Sequence, residues 1–185
     1  MVAAVAASAI GAVVWSNVVA DDRTAVDDEV TLVEPGEYVE PGTATNPPID
    51  RRPLPAVALT DAAGATFDPA TDDRPMVVNV WFSTCPPCAR ELVEFGDLDR
   101  ELGDQVRFVG VNPSDDAERM TEFAAARDVD YELYLDADGA FTDELGIVAF
   151  PVTLLVAPDG TIIEQTGALT GPELRARLAE QWGIR

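Results

Sequence analysis

The chain has no histidine and no lysine, and it has only two cysteines in 185 residues. Without histidine there is no Ser-His or Cys-His nucleophile pair, no imidazole metal ligand and no imidazole proton shuttle. Two cysteines cannot complete a four-ligand structural zinc site or a four-cysteine iron–sulfur cluster within one chain. All 12 cationic residues are arginine, and acidic residues outnumber them to give a formal net charge of −22. That balance argues against a nucleic acid or an anionic membrane surface as partner. No metal, nucleotide or other bound cofactor is expected. What remains is the chemistry of two thiols.

Those thiols are Cys85 and Cys88, separated by Pro86 and Pro87. They follow the apolar run Met76–Val80 and precede a segment in which Leu92, Phe95, Leu98 and Leu102 recur at three- and four-residue steps. A buried strand that delivers Cys-x-x-Cys to the start of a helix has the layout of a dithiol redox site. A static staple is the plain alternative. The loop it would close is too short to constrain the unfolded chain much.

Residues 1–20 carry no charged side chain and match the length of a membrane span, with Trp15 near the end. A membrane anchor is one reading. A signal peptide cleaved after Val18-Val19-Ala20 is another, and a buried helix is a third. The first two place the remainder outside the cytoplasm. Residues 21–52 read as an acidic linker: Pro35-Gly36, Pro41-Gly42 and Pro47-Pro48 punctuate it, and Arg23 is its lone cation before residue 50. Such a stretch has too little apolar surface to order itself.

Residues 53–185 read as one folded domain. Residues 57–60 and 65–67 suggest a hairpin across Asp61–Gly64. Strands are expected at 76–82, 106–111, 131–135, 152–157 and 162–166. Helices are expected at 86–102, 117–127 (capped by Ser114 or Asp115), 140–145 and 172–182. The alternation implies an α/β fold: a mixed central sheet with helices on both faces.

The strand–Trp81–Cys-Pro-Pro-Cys–helix run, with Phe150-Pro151-Val152-Thr153 before a strand ending in Pro158-Asp159-Gly160, resembles the thioredoxin-like superfamily. The hairpin ahead of it and the strand–helix insert around 106–135 resemble the TlpA/ResA branch of exported, often membrane-tethered oxidoreductases. Two positions depart from that pattern: Thr84 stands where many relatives have Trp, and Val93 where several have Pro.

The resemblance implies a thiol–disulfide oxidoreductase that works on protein thiols and disulfides. Its expected role is reductant, with apocytochrome c as a candidate substrate and a membrane thiol–disulfide carrier as electron donor. Disulfide donation to secreted proteins is the alternative. A peroxide-reducing enzyme and a non-catalytic adaptor or chaperone are further rivals. Cys85 is the expected attacking thiol, at a helix start that favours the thiolate, and Cys88 the resolving thiol. Pro86 and Pro87 suit the first helical turn and remove two N–H groups, which leaves the Cys88 N–H as donor to Cys85. Glu91, one turn on, is either a proton shuttle for Cys88 or a solvated helix residue. Asn79 stands where classical thioredoxins hold a buried Asp. A cis peptide is expected before Pro151. Phe150, Pro151, Pro86, Pro87 and Trp81 are expected to contact the partner, Trp81 having core filler as its alternative.

Overall fold

The structure is a computed structural model that describes residues 46–49, 51–67 and 73–185. The expected anchor, its signal-peptide alternative and most of the expected linker lie outside the described residues. Among the described residues no helix is long and apolar enough to cross a membrane.

Six strands form one mixed sheet: β1 (Arg52–Pro53), β2 (Met76–Val80), β3 (Arg107–Asn112), β4 (Glu132–Leu135), β5 (Val152–Val156) and β6 (Thr161–Thr166). Their order is β1-β6-β5-β2-β3-β4. β2 pairs parallel with β3, and β3 with β4, while β5, β6 and β1 run antiparallel to their neighbours. The helices are α1 (Pro86–Leu102), α2 (Ala117–Ala125), α3 (Ala140–Leu145) and α4 (Gly171–Trp182). This is the expected thioredoxin-like α/β architecture.

β2 is buried along its whole length because it has a strand on each side and packed layers above and below. Its side chains still alternate. Val77 joins Leu92, Phe95, Met120, Phe123, Leu174 and Leu178 in the core under α1, α2 and α4. Met76, Val78 and Val80 join Phe141, Leu145, Leu154 and Ile162 in the core under α3. Asn79 sits at a Val77-side position, and this polar interruption marks where the site lies.

Three expectations change. The hairpin at 57–67 keeps its turn, with the Asp61 carboxylate accepting from the N–H groups of Ala63 and Ala65. Its arms are paired by the Asp61 N–H to the Ala65 C=O and the Phe67 N–H to the Leu59 C=O, both at 2.9 Å, but they hold only the one bridge, Thr60 to Thr66, and Thr60 also bridges Leu135 on β4. The α2 cap is Asp116, which accepts from the Arg119 N–H; neither Ser114 nor Asp115 does so. The third change is that residues assigned to the linker lie on the domain. Arg52 belongs to β1 and contacts Glu144 on α3, and Asn46 reaches the loop before β5.

Candidate functional site

α1 begins where β2's chain leaves the sheet. Pro86 and Pro87 fill its first two positions, and Cys85 is its cap, with extended backbone angles (φ −99°, ψ 103°). The Cys88 N–H donates to Cys85 Sγ at 3.3 Å. The two sulfurs are joined as a disulfide across a Cα–Cα separation of 5.3 Å. Cys85 keeps 6% of its surface exposed and Cys88 none. An incoming sulfur can therefore meet Cys85 only.

The Phe150–Pro151 peptide is cis. Pro151 is buried and Phe150 half-buried, and the Phe150 ring stands edge-on to Phe82, 5.1 Å between centroids. Pro86 is exposed and Pro87 half-buried at the helix mouth. Trp81 is a correction. It has no exposed surface and stacks on Phe123 at 5.8 Å, so it offers nothing to a partner and is core. Its indole also packs against the bare Cα of Gly110, where a Cβ would lie 2.8 Å from Trp81 Nε1.

Glu91 is not a solvated helix residue; it is 2% exposed. Three donors from three elements meet its carboxyl. The Leu169 N–H, ahead of α4, donates to Oε1 at 2.7 Å, and Thr153 Oγ1 of β5 donates to Oε1 at 3.3 Å. Asn79 Nδ2 of β2 donates to Oε2 at 2.6 Å. Burial is the largest influence on this carboxyl and raises its pKa. The three hydrogen bonds pull it back, and nearby Glu94 adds to the rise; the net value is about 7. This carboxyl lies one helical turn on from Cys88, and burial sets its proton affinity near neutral pH.

A second polar cluster holds the chain just before Cys85. The Asp115 carboxylate accepts from the Ser83 N–H and from Ser83 Oγ, both at 2.7 Å. Asn112 Nδ2 donates to the same carboxylate, and Arg119 Nε donates to Ser83 Oγ. Burial works against the Asp115 charge. The bonds from Asn112 and Ser83 together with the Arg119 guanidinium outweigh it and hold the pKa below the usual carboxylate range. The sequence offered Asp115 only as a helix cap; its reach across to Ser83 needed the fold. Asp115→Ala strands the Ser83 N–H and is expected to lower stability by about 1–3 kcal/mol, measured by urea denaturation. Asp115→Asn, which keeps one acceptor oxygen, is expected to lose less.

Among the described residues no group of His, Cys, Asp or Glu is arranged to hold a metal ion.

Comparison with known proteins gives a consistent picture. The thiol:disulfide interchange protein DsbE of Yersinia pestis is 33% identical over 116 residues, 60% of each chain. The sporulation thiol-disulfide oxidoreductase A of Bacillus subtilis is 31% identical over 105 residues, 54% of this chain and 63% of that one. The chain thus spans about 60% of the length of these relatives. A solved secreted disulfide oxidoreductase of Mycobacterium tuberculosis, homologous to E. coli DsbE, superposes with a TM-score of 0.58 at 25% identity. That alignment covers 67% of this chain and 95% of that one. The Redoxin family model matches residues 50–173, which takes in the sheet, the dithiol, Glu91 and the cis-proline loop. On this match, and with a thioredoxin-like sheet carrying Cys-Pro-Pro-Cys at a helix mouth, the chain belongs to the Redoxin family.

Proposed function

We propose that this chain is a thiol–disulfide oxidoreductase that exchanges disulfides with protein partners through Cys85 and Cys88 and works as a reductant outside the cytoplasm. The observation that carries this reading is the graded exposure of one bonded pair: Cys85 reaches solvent at the helix mouth, and Cys88 sits fully buried behind it.

In the reduced chain the Cys85 thiolate attacks one sulfur of a partner disulfide. The partner S–S bond breaks, a Cys85–partner disulfide forms, and the other partner sulfur leaves as a thiolate. Cys88 then loses its proton to Glu91 and attacks Cys85 Sγ. The mixed disulfide breaks, the Cys85–Cys88 disulfide forms, and the second partner thiol is released. Two electrons have passed from the dithiol to the partner. A dithiol donor returns them in the next cycle.

What supports the reductant direction is the small number of side-chain and loop donors offered to the Cys85 sulfur beyond the helix start itself. A strong disulfide oxidant is one whose reduced form is stabilised. Here Pro86 and Pro87 supply no N–H, the Cys88 N–H reaches Cys85 Sγ at 3.3 Å, and a buried acid lies one turn behind. With only the helix start and one N–H to favour a Cys85 thiolate, the reductant reading is the better supported. The resemblance to the TlpA/ResA branch supports apocytochrome c as a substrate class, a membrane thiol–disulfide carrier as donor, and a single-pass anchor in residues 1–20. The secreted M. tuberculosis relative supports placement outside the cytoplasm.

Equilibration of the purified chain with glutathione buffers tests the direction. A midpoint near the thioredoxin end, about −270 mV, is expected; a midpoint near −120 mV makes the protein a disulfide donor instead.

A further inference from the structure

A side chain far from the dithiol in sequence sits on the backbone that flanks it in space. Asn46 Oδ1 accepts from the N–H groups of Val148 and Ala149, each at 2.8 Å. Asn46 Nδ2 donates to the Ala149 C=O at 2.7 Å. One carboxamide thus satisfies three backbone polar groups of Val148 and Ala149 on the edge of the loop before Pro151, much as an added strand would. The segment behind it is anchored. Gln165 Nε2 donates to the Pro47 C=O at 3.2 Å, and Pro47 Cγ packs so close to Gly146 that a Cβ there would approach to 2.9 Å.

The neighbouring groups differ. Among the described residues neither the Phe150 N–H nor its C=O has a hydrogen-bond partner, and Pro151 has no N–H to offer. Beside them Val148 is 73% exposed, and the half-buried rings of Phe150 and Phe82 meet edge to face.

We infer that Asn46 is a positioning residue for partner binding: it closes the Val148–Ala149 edge, fixes the loop, and leaves Phe150 as the single backbone station where an extended, apolar-flanked cysteine segment can pair. This inference rests on the thiol-exchange reading. It gives the segment just ahead of the first strand a direct part in substrate choice. A partner gains one pair of backbone hydrogen bonds at Phe150 and an apolar contact with Val148, and a longer added strand is blocked.

The test uses the full chain with two disulfide substrates. One is a synthetic nonapeptide dimer joined through a cysteine with Leu on each side; the other is hydroxyethyl disulfide, which has no peptide backbone. In Asn46→Ala the three loop groups lose their partner and the loop must be ordered by the incoming peptide. KM for the peptide is expected to rise about tenfold with kcat kept, and the hydroxyethyl disulfide rate to stay unchanged. Asn46→Asp keeps an acceptor for both N–H groups and loses the donor to Ala149, so its KM is expected to fall between wild type and Asn46→Ala. An unchanged peptide KM in Asn46→Ala overturns the inference. So does an equal loss on both substrates, since that reports damage at the dithiol. A wild-type chain that reduces neither substrate refutes the thiol-exchange reading itself, and this inference with it.

Discussion

Cys88→Ser is expected to trap a mixed disulfide between Cys85 and a partner protein, and Cys85→Ser to lower disulfide reduction to the uncatalysed rate. The asymmetry comes from exposure. Cys85 is the sulfur that solvent reaches, and Cys88 has no exposed surface, so Cys88 alone cannot start the exchange, and Cys85 alone cannot finish it. Both variants are expected to fold. The bond closes a very small loop, worth about 2 kcal/mol of unfolded-state entropy, and the working cycle opens it in any case. Insulin reduction checks the loss of turnover. Non-reducing electrophoresis after incubation with a disulfide substrate checks the trap. Turnover that survives Cys85→Ser would sink the reading, and so would a trap that forms equally in both variants.

Glu91→Gln is expected to flatten the pH dependence of stability and to slow turnover. In the folded chain Glu91 titrates near 7, against an ordinary 4.5. Between those values the folded state holds a proton that the unfolded state has released. Stability is therefore full below about pH 4.5 and falls as pH rises through 7, by an amount on the order of 3 kcal/mol if this group acts alone. Gln cannot ionise, so its contribution is the same at every pH. The variant is expected to match wild type near pH 5 and to exceed it near pH 8 in urea denaturation of the oxidised protein.

The amide has a place to go in that variant. Asn79 Oδ1 is buried and has no hydrogen-bond partner among the described residues. A half-turn of the Asn79 amide presents that oxygen to the new NH2 group. The same turn serves wild-type Glu91 when it carries its proton. In turnover, Cys88 loses its proton acceptor, and a fall of about 100-fold in the resolving step is expected, at the low end for lost acid–base help. The measurement is the decay of the mixed disulfide as a function of pH. A variant that keeps the wild-type stability slope would show that another group titrates. One that keeps wild-type decay would show that Glu91 is only a structural anchor for the loop before α4.

Much of the fold could be read in the chain because local signals agreed with it. α1 and α3 fall on their expected bounds: Pro86-Pro87 starts α1, and Gly139 and Gly146, both left-handed, flank α3. β2 to β6 fall within a residue or two of their expected edges, while β1, two residues at the end of the expected linker, is not among the expected strands. The failures came where a side chain or a strand edge had a distant competitor. Asp115 has the chemistry of a cap but is drawn to Ser83, so Asp116 caps α2. Residues 57–67 pair as the expected hairpin but too briefly to count as strands, and Thr60 is also tied to Leu135. Asn46, among prolines and acids, looks like spacer and acts through partners about a hundred positions away.

The sequence by itself determined the chemistry and the frame. The absence of histidine, the single Cys-Pro-Pro-Cys and the alternation of apolar runs leave a dithiol on an α/β sheet, since thiol pairing and hydrophobic periodicity are local properties. The tertiary structure decided which of the neighbouring acids matters. Glu91, Glu94 and Asp97 are alike along the helix; Glu91 is buried among β2, β5 and the loop before α4, Glu94 is half-buried against the Gly171 N–H, and Asp97 is exposed. Burial sets a carboxyl's proton affinity, and burial belongs to the packed molecule: Asn79, Thr153 and Leu169 reach that carboxyl only when segments up to 78 residues apart are folded together.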